Sequence, residues 1–362
     1  MENIENLFEK IANISDKNIN EIIEENERLR KIVKSQNELI LAYRKQKDTY
    51  IEQKGLQSRK INDESKIIHT GEVNCILELK NGSLLSGSSD KSIILWIFDG
   101  HYKSKKSILG HKLSVRTLAE VNSKYVASGS DDNTIRIWDQ SREFLCSFIV
   151  KDHFNTIRRL LTTSNGLLVS ASYDQSLKVF NPLDNFKMVY SLTGHENWVI
   201  ALIEIENNIL ISGSSDKTIK AWDISKSTNS ICSKEAHSDF ILDIAKISKS
   251  RFSTSSRDHT IKIWNFDYSK NEFIYDFILD NHTSSVFSIF YFTTGYLVSG
   301  SEDKTIKIFD LNEKNDKCIQ TIKNENTVLV VSEVNNGKII SGFNNGEVKI
   351  FASNTNYVET DF

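Results

Sequence analysis

Proline is almost missing from this chain: Pro182 is the only one in 362 residues. The long polar segment ahead of Gly55 therefore meets no helix breaker after Asp16. Cysteine is scarce as well. Cys75, Cys146, Cys232 and Cys318 stand far apart, without a Cys-x-x-Cys pair or a Cys/His cluster at zinc spacing. That excludes a structural metal knuckle, so no metal site and no cofactor is expected, and the four read as small buried side chains in a reducing, intracellular setting. There is no excess of basic charge, with 45 Lys and Arg against 48 Asp and Glu and a net charge of -3. A phosphate-tracking groove is thereby disfavoured, and no nucleic-acid partner is expected. Long apolar runs are missing too. The longest, such as Thr327 to Val331, are strand-length, so no membrane span is expected. The acidic start MENIENLFEK does not read as a secretory signal, which points to a cytoplasmic or nuclear protein.

What the chain does contain is a repeat. Leu210 to Asp223 reads LISGSSDKTIKAWD: an apolar run, a polar tight turn through Ser215, Asp216 and Lys217, and an alternating run ending on Trp222. Two short runs across such a turn predict a β-hairpin. The same hairpin returns as LLSGSSDKSIILW, VASGSDDNTIRIWD, LVSASYDQSLKVFN, FSTSSRDHTIKIWN, LVSGSEDKTIKIFD and IISGFNNGEVKIFA. The turn residues Asp90, Asp132, Asp174, Asp216, Asp258, Asp303 and Asn345 step by 42 residues, with one step of 45. A histidine stands 21 residues before each of the first six: His69, His111, His153, His195, His237 and His282. One hairpin cannot bury its apolar face alone, so a fixed period of this size predicts radial or linear repetition.

These residues resemble the WD-repeat family, with Gly-His at Gly110-His111 and Gly194-His195 and Trp-Asp at Trp138-Asp139 and Trp222-Asp223. The resemblance runs from about Ile67 to the C-terminus and implies an all-β, seven-bladed propeller of four-stranded antiparallel blades around a channel. Blade one is expected to place its innermost strand at Val73 to Leu79 and its next two at Leu84 to Ser88 and Ile93 to Ile97, with the outer strand within Lys103 to Leu109. The three extra residues of the long step fall after Trp264, where NFDYSKNEF predicts a longer loop between the third and outer strands of blade five. Pro182 falls in the matching loop of blade three, where no ladder donor is needed. In this family the N-terminal segment usually supplies the outer strand of the last blade. That reading favours Lys60 to Ile68, with Tyr357 to Phe362 as the competitor for the same edge.

Each complete repeat holds a Ser or Thr, a His and an Asp, the composition of a nucleophilic triad. Several such sets at one register argue against catalysis, since an enzyme needs one site, and no catalytic residue is expected. The resemblance instead implies a buried hydrogen-bond chain per blade: His69, Ser86, Asp90 and Trp96; His111, Ser128, Asp132 and Trp138; His195, Ser212, Asp216 and Trp222; His237, Thr254, Asp258 and Trp264. The donor inventory allows it, because Trp only donates, Ser and neutral His do both, and Asp only accepts. Phe180 and Phe309 replace Trp in blades three and six. Blade seven departs furthest, with Asn324, Asn345 and Phe351 at the His, Asp and Trp positions.

Ahead of the repeats, residues 1–54 read as a helical segment. Ile19, Asn26, Val33 and Ile40 fall at heptad position a, with Ile22 and Leu29 at d, and Asn26 is of the type that fixes register. Two readings stand: a homodimer through residues 16–53, or one amphipathic helix docked on the propeller or a partner. Residues 55–66 read as a linker or latch strand, and residues 67–362 as the propeller.

The resemblance also points three positions per blade at the channel mouth: the third and fifth residues after His and the residue before the turn Asp. They bring Tyr173, Trp198, Phe240 and Phe287 to neighbouring blades, with Arg116 and Arg158 to one side and Arg257 at a turn. Aromatics and Arg are the types that carry interface hot spots, so these residues are the candidate partner-binding set. The expected function is a non-catalytic scaffold binding a peptide or protein partner. The alternatives are a substrate receptor of a ubiquitin ligase, or a targeting subunit of a kinase or autophagy complex. Without a second proline no F-box-like Leu-Pro segment is present, and Trp138-Asp139-Gln140 is followed by Ser141 rather than by the Arg of another ligase class.

Overall fold

The structure, a computed structural model, describes residues 68–98, 102–206, 208–225, 228–311, 318–334, 337–351 and 360–361. All belong to one of two compact units, Gln57–Ser353 with Val358–Phe362. The helix expected over residues 1–54, its seam through 16–53 and the linker at 55–66 lie outside the described residues.

Seven four-stranded antiparallel sheets follow one another along the chain, and each pairs its strands in sequence order. Blade four is typical: Val199–Glu204, Ile209–Ser214, Thr218–Asp223 and Ser230–Glu235, from the inside outwards. The turn between its second and third strands shows why the repeat folds as it does. Asp216 accepts from the Thr218 N–H at 2.9 Å and from its hydroxyl at 2.6 Å, which tethers a tight turn. Lys217 between them sits at φ 70°. Its counterparts Lys91, Asn133, Gln175, His259 and Lys304 share that left-handed backbone.

The cores lie between blades rather than inside them. One cluster joins Ile203, Ile209 and Ile211 of blade four to Phe252 and Trp264 of blade five, and another joins Val73 and Trp96 of blade one to Val330 and Ile340 of blade seven. A small residue in each second strand makes the close approach possible. A Cβ on Gly213 would stand 2.5 Å from Ile241 of the next blade, and one on Gly129 or Gly300 would be equally close to Ile157 or Val328. Gly342 of blade seven meets Val73 of blade one in the same way, also at 2.5 Å. The seventh junction therefore repeats the others, and the sheets form a closed seven-bladed ring.

The structure corrects three expectations. The outer strand of blade seven is Thr360–Asp361, paired with Ile350 and Lys349, so the C-terminal segment, given above as the competitor, takes that edge, while Lys60 to Ile67 lie outside the described residues. The extra residues of blade five lengthen the hairpin rather than its loop. Pairing continues through Phe266 with Phe273 and Asp267 with Glu272, leaving a four-residue turn. The physical reason is burial, because Phe266 and Phe273 are 2% and 0% exposed against Phe252 and the bottom of blade four. Finally, only Cys75 is buried; Cys146, Cys232 and Cys318 are half-buried on outer strands. Pro182 opens a short 3-10 turn after the third strand of blade three, capped by the Asn181 side chain.

Candidate functional site

Each of the first six blades places its histidine, in the loop entering the inner strand, over its own tight turn. The ring Nδ1 lies 2.7–3.0 Å from the turn Asp in the pairs from His69–Asp90 to His282–Asp303. The Nε2 lies 2.5–2.7 Å from Ser86, Ser128, Ser170, Ser212, Thr254 and Ser299 in the same blades. Trp96, Trp138, Trp222 and Trp264 donate their indole N–H to Ser86, Ser128, Ser212 and Thr254 at 2.8–2.9 Å. Since Asp can only accept, Nδ1 carries the proton, and Nε2 accepts from the hydroxyl.

The electrostatics follow from burial and pairing. In Asp216 burial pushes the carboxyl up, but the hydrogen bond from His195 with the Thr218 donors holds it well below the usual carboxylate range. Burial lowers His195 itself, and the pull of Asp216 does not restore it, so the pair is a neutral imidazole donating to a carboxylate. Ser212 is fully buried, so no substrate carbonyl reaches the hydroxyl of this triad-like set. The thiol of Cys75 is pushed up to about 12 by burial, which leaves it inert as a nucleophile. Among the described residues no group of three or more His, Cys, Asp and Glu is placed to hold a metal ion, and no helix is long and apolar enough to cross a membrane.

Blade seven shows what its substitutions cost. Ser341 occupies the place of Ser212, but Phe351 offers no indole N–H and Asn324 bonds the Ile322 carbonyl instead. The Ser341 hydroxyl is buried without a partner.

The face formed by the tight turns and the loops entering the inner strands is built by two devices repeated in every blade. The residue before the turn donates its N–H to the carbonyl of the third residue after His, as in Tyr173 to Thr156, Ser215 to Trp198 and Arg257 to Phe240 at 2.9–3.0 Å. In addition, each inner strand carries a β-bulge at the fifth residue after His: Asn74, Arg116, Arg158, Ile200, Leu242, Phe287 and Leu329. A bulge breaks the alternation and re-aims one side chain, here at one level around the ring.

On this scaffold Tyr173, Trp198, Phe240 and Arg257 come together. Tyr173 of blade three stacks on Trp198 of blade four, with centroids 4.4 Å apart and planes within 12°. Trp198 meets Phe240 of blade five edge-on at 6.3 Å, and the Arg257 guanidinium lies 5.6 Å over Phe240. Trp198 remains 41% exposed. Phe287 is half-buried in blade six and makes no ring contact with this run. Arg116 is occupied: its guanidinium donates to Asp131 at 2.8–3.0 Å and to Asn74 at 3.1 Å. Burial opposes its charge, but Asp131 overrides that and keeps it ionised.

The sequence reading missed two features. Phe154, directly after His153, is 85% exposed above Lys178. The alignment of repeats held the signal, since Thr70, Lys112, Glu196, Ser238 and Thr283 fill that place elsewhere. The other is Asp243 in the innermost strand of blade five, buried, which accepts from the Ile289 N–H at 3.1 Å and pairs with Arg159 of blade three at 3.3 Å.

Comparison with known proteins now adds to this geometry. The chain matches the family described as WD domain, G-beta repeat, over residues 65–96, 102–139, 186–223, 228–265 and 274–310, just over half its length. The first three strands of blade three and all of blade seven fall outside the matched spans; both blades carry Phe in place of the repeat Trp, as does the matched blade six. The chain is similar to the crystal structure of the WD40 β-propeller domain of Doa1, at TM-score 0.69 and 22% identity, over 78% of this chain and 93% of that one. Identity at that level bears on the fold alone. No curated protein sequence matches.

Proposed function

The chain belongs to the WD-repeat family, and we propose that it works as a non-catalytic protein-interaction scaffold whose channel-mouth face holds a peptide or protein partner. One observation carries this reading: three aromatic rings run in unbroken contact across blades three to five, and the central one, Trp198, is 41% exposed. A contiguous aromatic run whose central ring is exposed and whose flanking rings are half-buried calls for burial by a partner. Tyr173 and Phe240 hold Trp198 on both sides, so little side-chain entropy is lost when a partner covers it. Arg257 extends the set at one end, Arg116 and Arg158 flank the other, and Phe287 lies one blade further on. In this reading residues 1–54 are a separate helical element that self-associates or docks, joined through residues 55–66.

The test is Trp198→Ala. It should weaken partner capture by the intact chain by about 2 kcal/mol, the size of a hot-spot loss, with an unchanged thermal midpoint. A collapsed midpoint would mean that Trp198 is core. An unchanged midpoint with an unchanged set of captured partners would move the binding face elsewhere on the ring.

A further inference from the structure

We infer that the segment bound on this face is anionic around an apolar anchor: a carboxylate or phosphate of the partner pairs with Arg158 while an apolar side chain lies on Trp198 and Phe240. This rests on the reading above that the face binds a peptide.

Blades two and three differ at one bulge. Arg116 and Arg158 occupy the same bulge in blades two and three. In blade two the residue before the turn is Asp131, and it takes the Arg116 guanidinium in a three-bond fork. In blade three that place is filled by Tyr173, which offers no carboxylate and is itself stacked on Trp198. Arg158 is half-buried and forms no ion pair among the described residues. The acids of its sector are engaged elsewhere: Asp131 with Arg116, Asp243 with Arg159, and Glu72 with the Ser89 hydroxyl. Arg116, Arg158 and Arg159 stand on the inner strands of the adjacent blades two and three. A half-buried guanidinium beside a paired one keeps its full demand for an acid, and its planar fork matches a carboxylate or phosphate. Arg257 places a second cation at the far end of the aromatic run, and the nearby Glu302 is held by Ser284 and Ser285 at 2.7 and 2.9 Å. A chain crossing blades three to five thus meets cation, aromatic surface and cation in that order.

The experiment uses the full chain and short fluorescein-labelled peptides with a central Leu or Phe, flanked by Glu, phosphoserine, Gln or Lys, read by anisotropy. Glu and phosphoserine peptides should bind about tenfold or more tighter than Gln peptides, the scale of one desolvated charge pair, with Lys peptides weakest. Arg158→Gln should remove that preference with an unchanged thermal midpoint. Arg158→Lys should keep part of it for Glu and lose more for phosphoserine. The Glu-to-phosphoserine ratio tells which anion the site prefers. If Trp198→Ala weakens every peptide but Arg158→Gln leaves the charge preference intact, the face reading stands and this inference falls. If neither variant changes binding, or no peptide binds, both fall.

Discussion

At the scale of single residues, the chain runs its own control on the hydrogen-bond chain in each blade. Ser212 and Ser341 occupy one register position, and both are fully buried. Ser212 takes a bond from Trp222 and gives one to His195, whereas Ser341 has neither partner. Ser212→Ala should therefore destabilise, at about 1–3 kcal/mol for each polar group left unpaired, while Ser341→Ala should stabilise by about 1 kcal/mol. Urea midpoints of the two variants measure this, and losses of equal size would refute the orphan reading of Ser341. These positions were legible in the sequence because His, turn Asp and Trp keep constant spacings, and constant spacing in a repeat means constant geometry. The fate of Arg116 was harder to see. Its acid, Asp131, was in view, but which side chains a bulged strand brings to one side of a turn depends on backbone pairing, not on spacing alone.

At the scale of elements, the tight turns separate what a left-handed backbone costs from what close packing costs. Six turns place a side-chain-bearing residue at positive φ, from Asn133 at 64° to Lys91 at 75°. Blade seven has Gly346 there at 89°, and the reason is not φ alone: a Cβ would lie 2.4 Å from the His69 carbonyl oxygen of blade one. Gly82, at φ 80°, has nothing within 4 Å of its own added Cβ. Gly82→Ala should then cost only the left-handed strain, about 1 kcal/mol. Gly346→Ala adds a backbone clash at the ring's last junction and should cost about 3 kcal/mol or more. Denaturant midpoints of the pair decide it, and equal losses would show that the seventh junction has room to yield. The lengthened hairpin of blade five teaches a related lesson. NFDYSKNEF reads as a polar insertion by its Asn, Asp, Ser and Lys, yet Phe266 and Phe273 stand across from each other and bury. Alternation within the insertion outweighed its composition.

At the scale of the whole molecule, six His–carboxylate pairs sit at one register around the ring, and their effects on stability add. The sign follows from the shifts. Asp90, Asp132, Asp174, Asp216, Asp258 and Asp303 are held below their ordinary 3.8 despite burial, chiefly by their histidines. A depressed carboxylate contributes stability that is present above 3.8 and lost as pH falls below it. His195 and His237 are lowered from 6.5 by burial, so the unfolded chain binds their protons first, and stability is lost as pH falls below 6.5. Both groups act in the same direction, in successive windows. The closed ring links them, since its cores and the Asp243–Arg159 pair cross from blade to blade. Unfolding midpoints should therefore be flat from pH 8 to 7, decline below about 6.5 and fall more steeply below about 4. Replacing His195 and His237 by Gln should lower the midpoint at pH 7.5, because Ser212, Thr254 and two Asp lose their ring partner. The same change should shrink the decline between pH 6.5 and 5. A decline of undiminished size in that variant would mean that burial does not hold these two imidazoles neutral, and that the acid sensitivity of the ring begins with other groups.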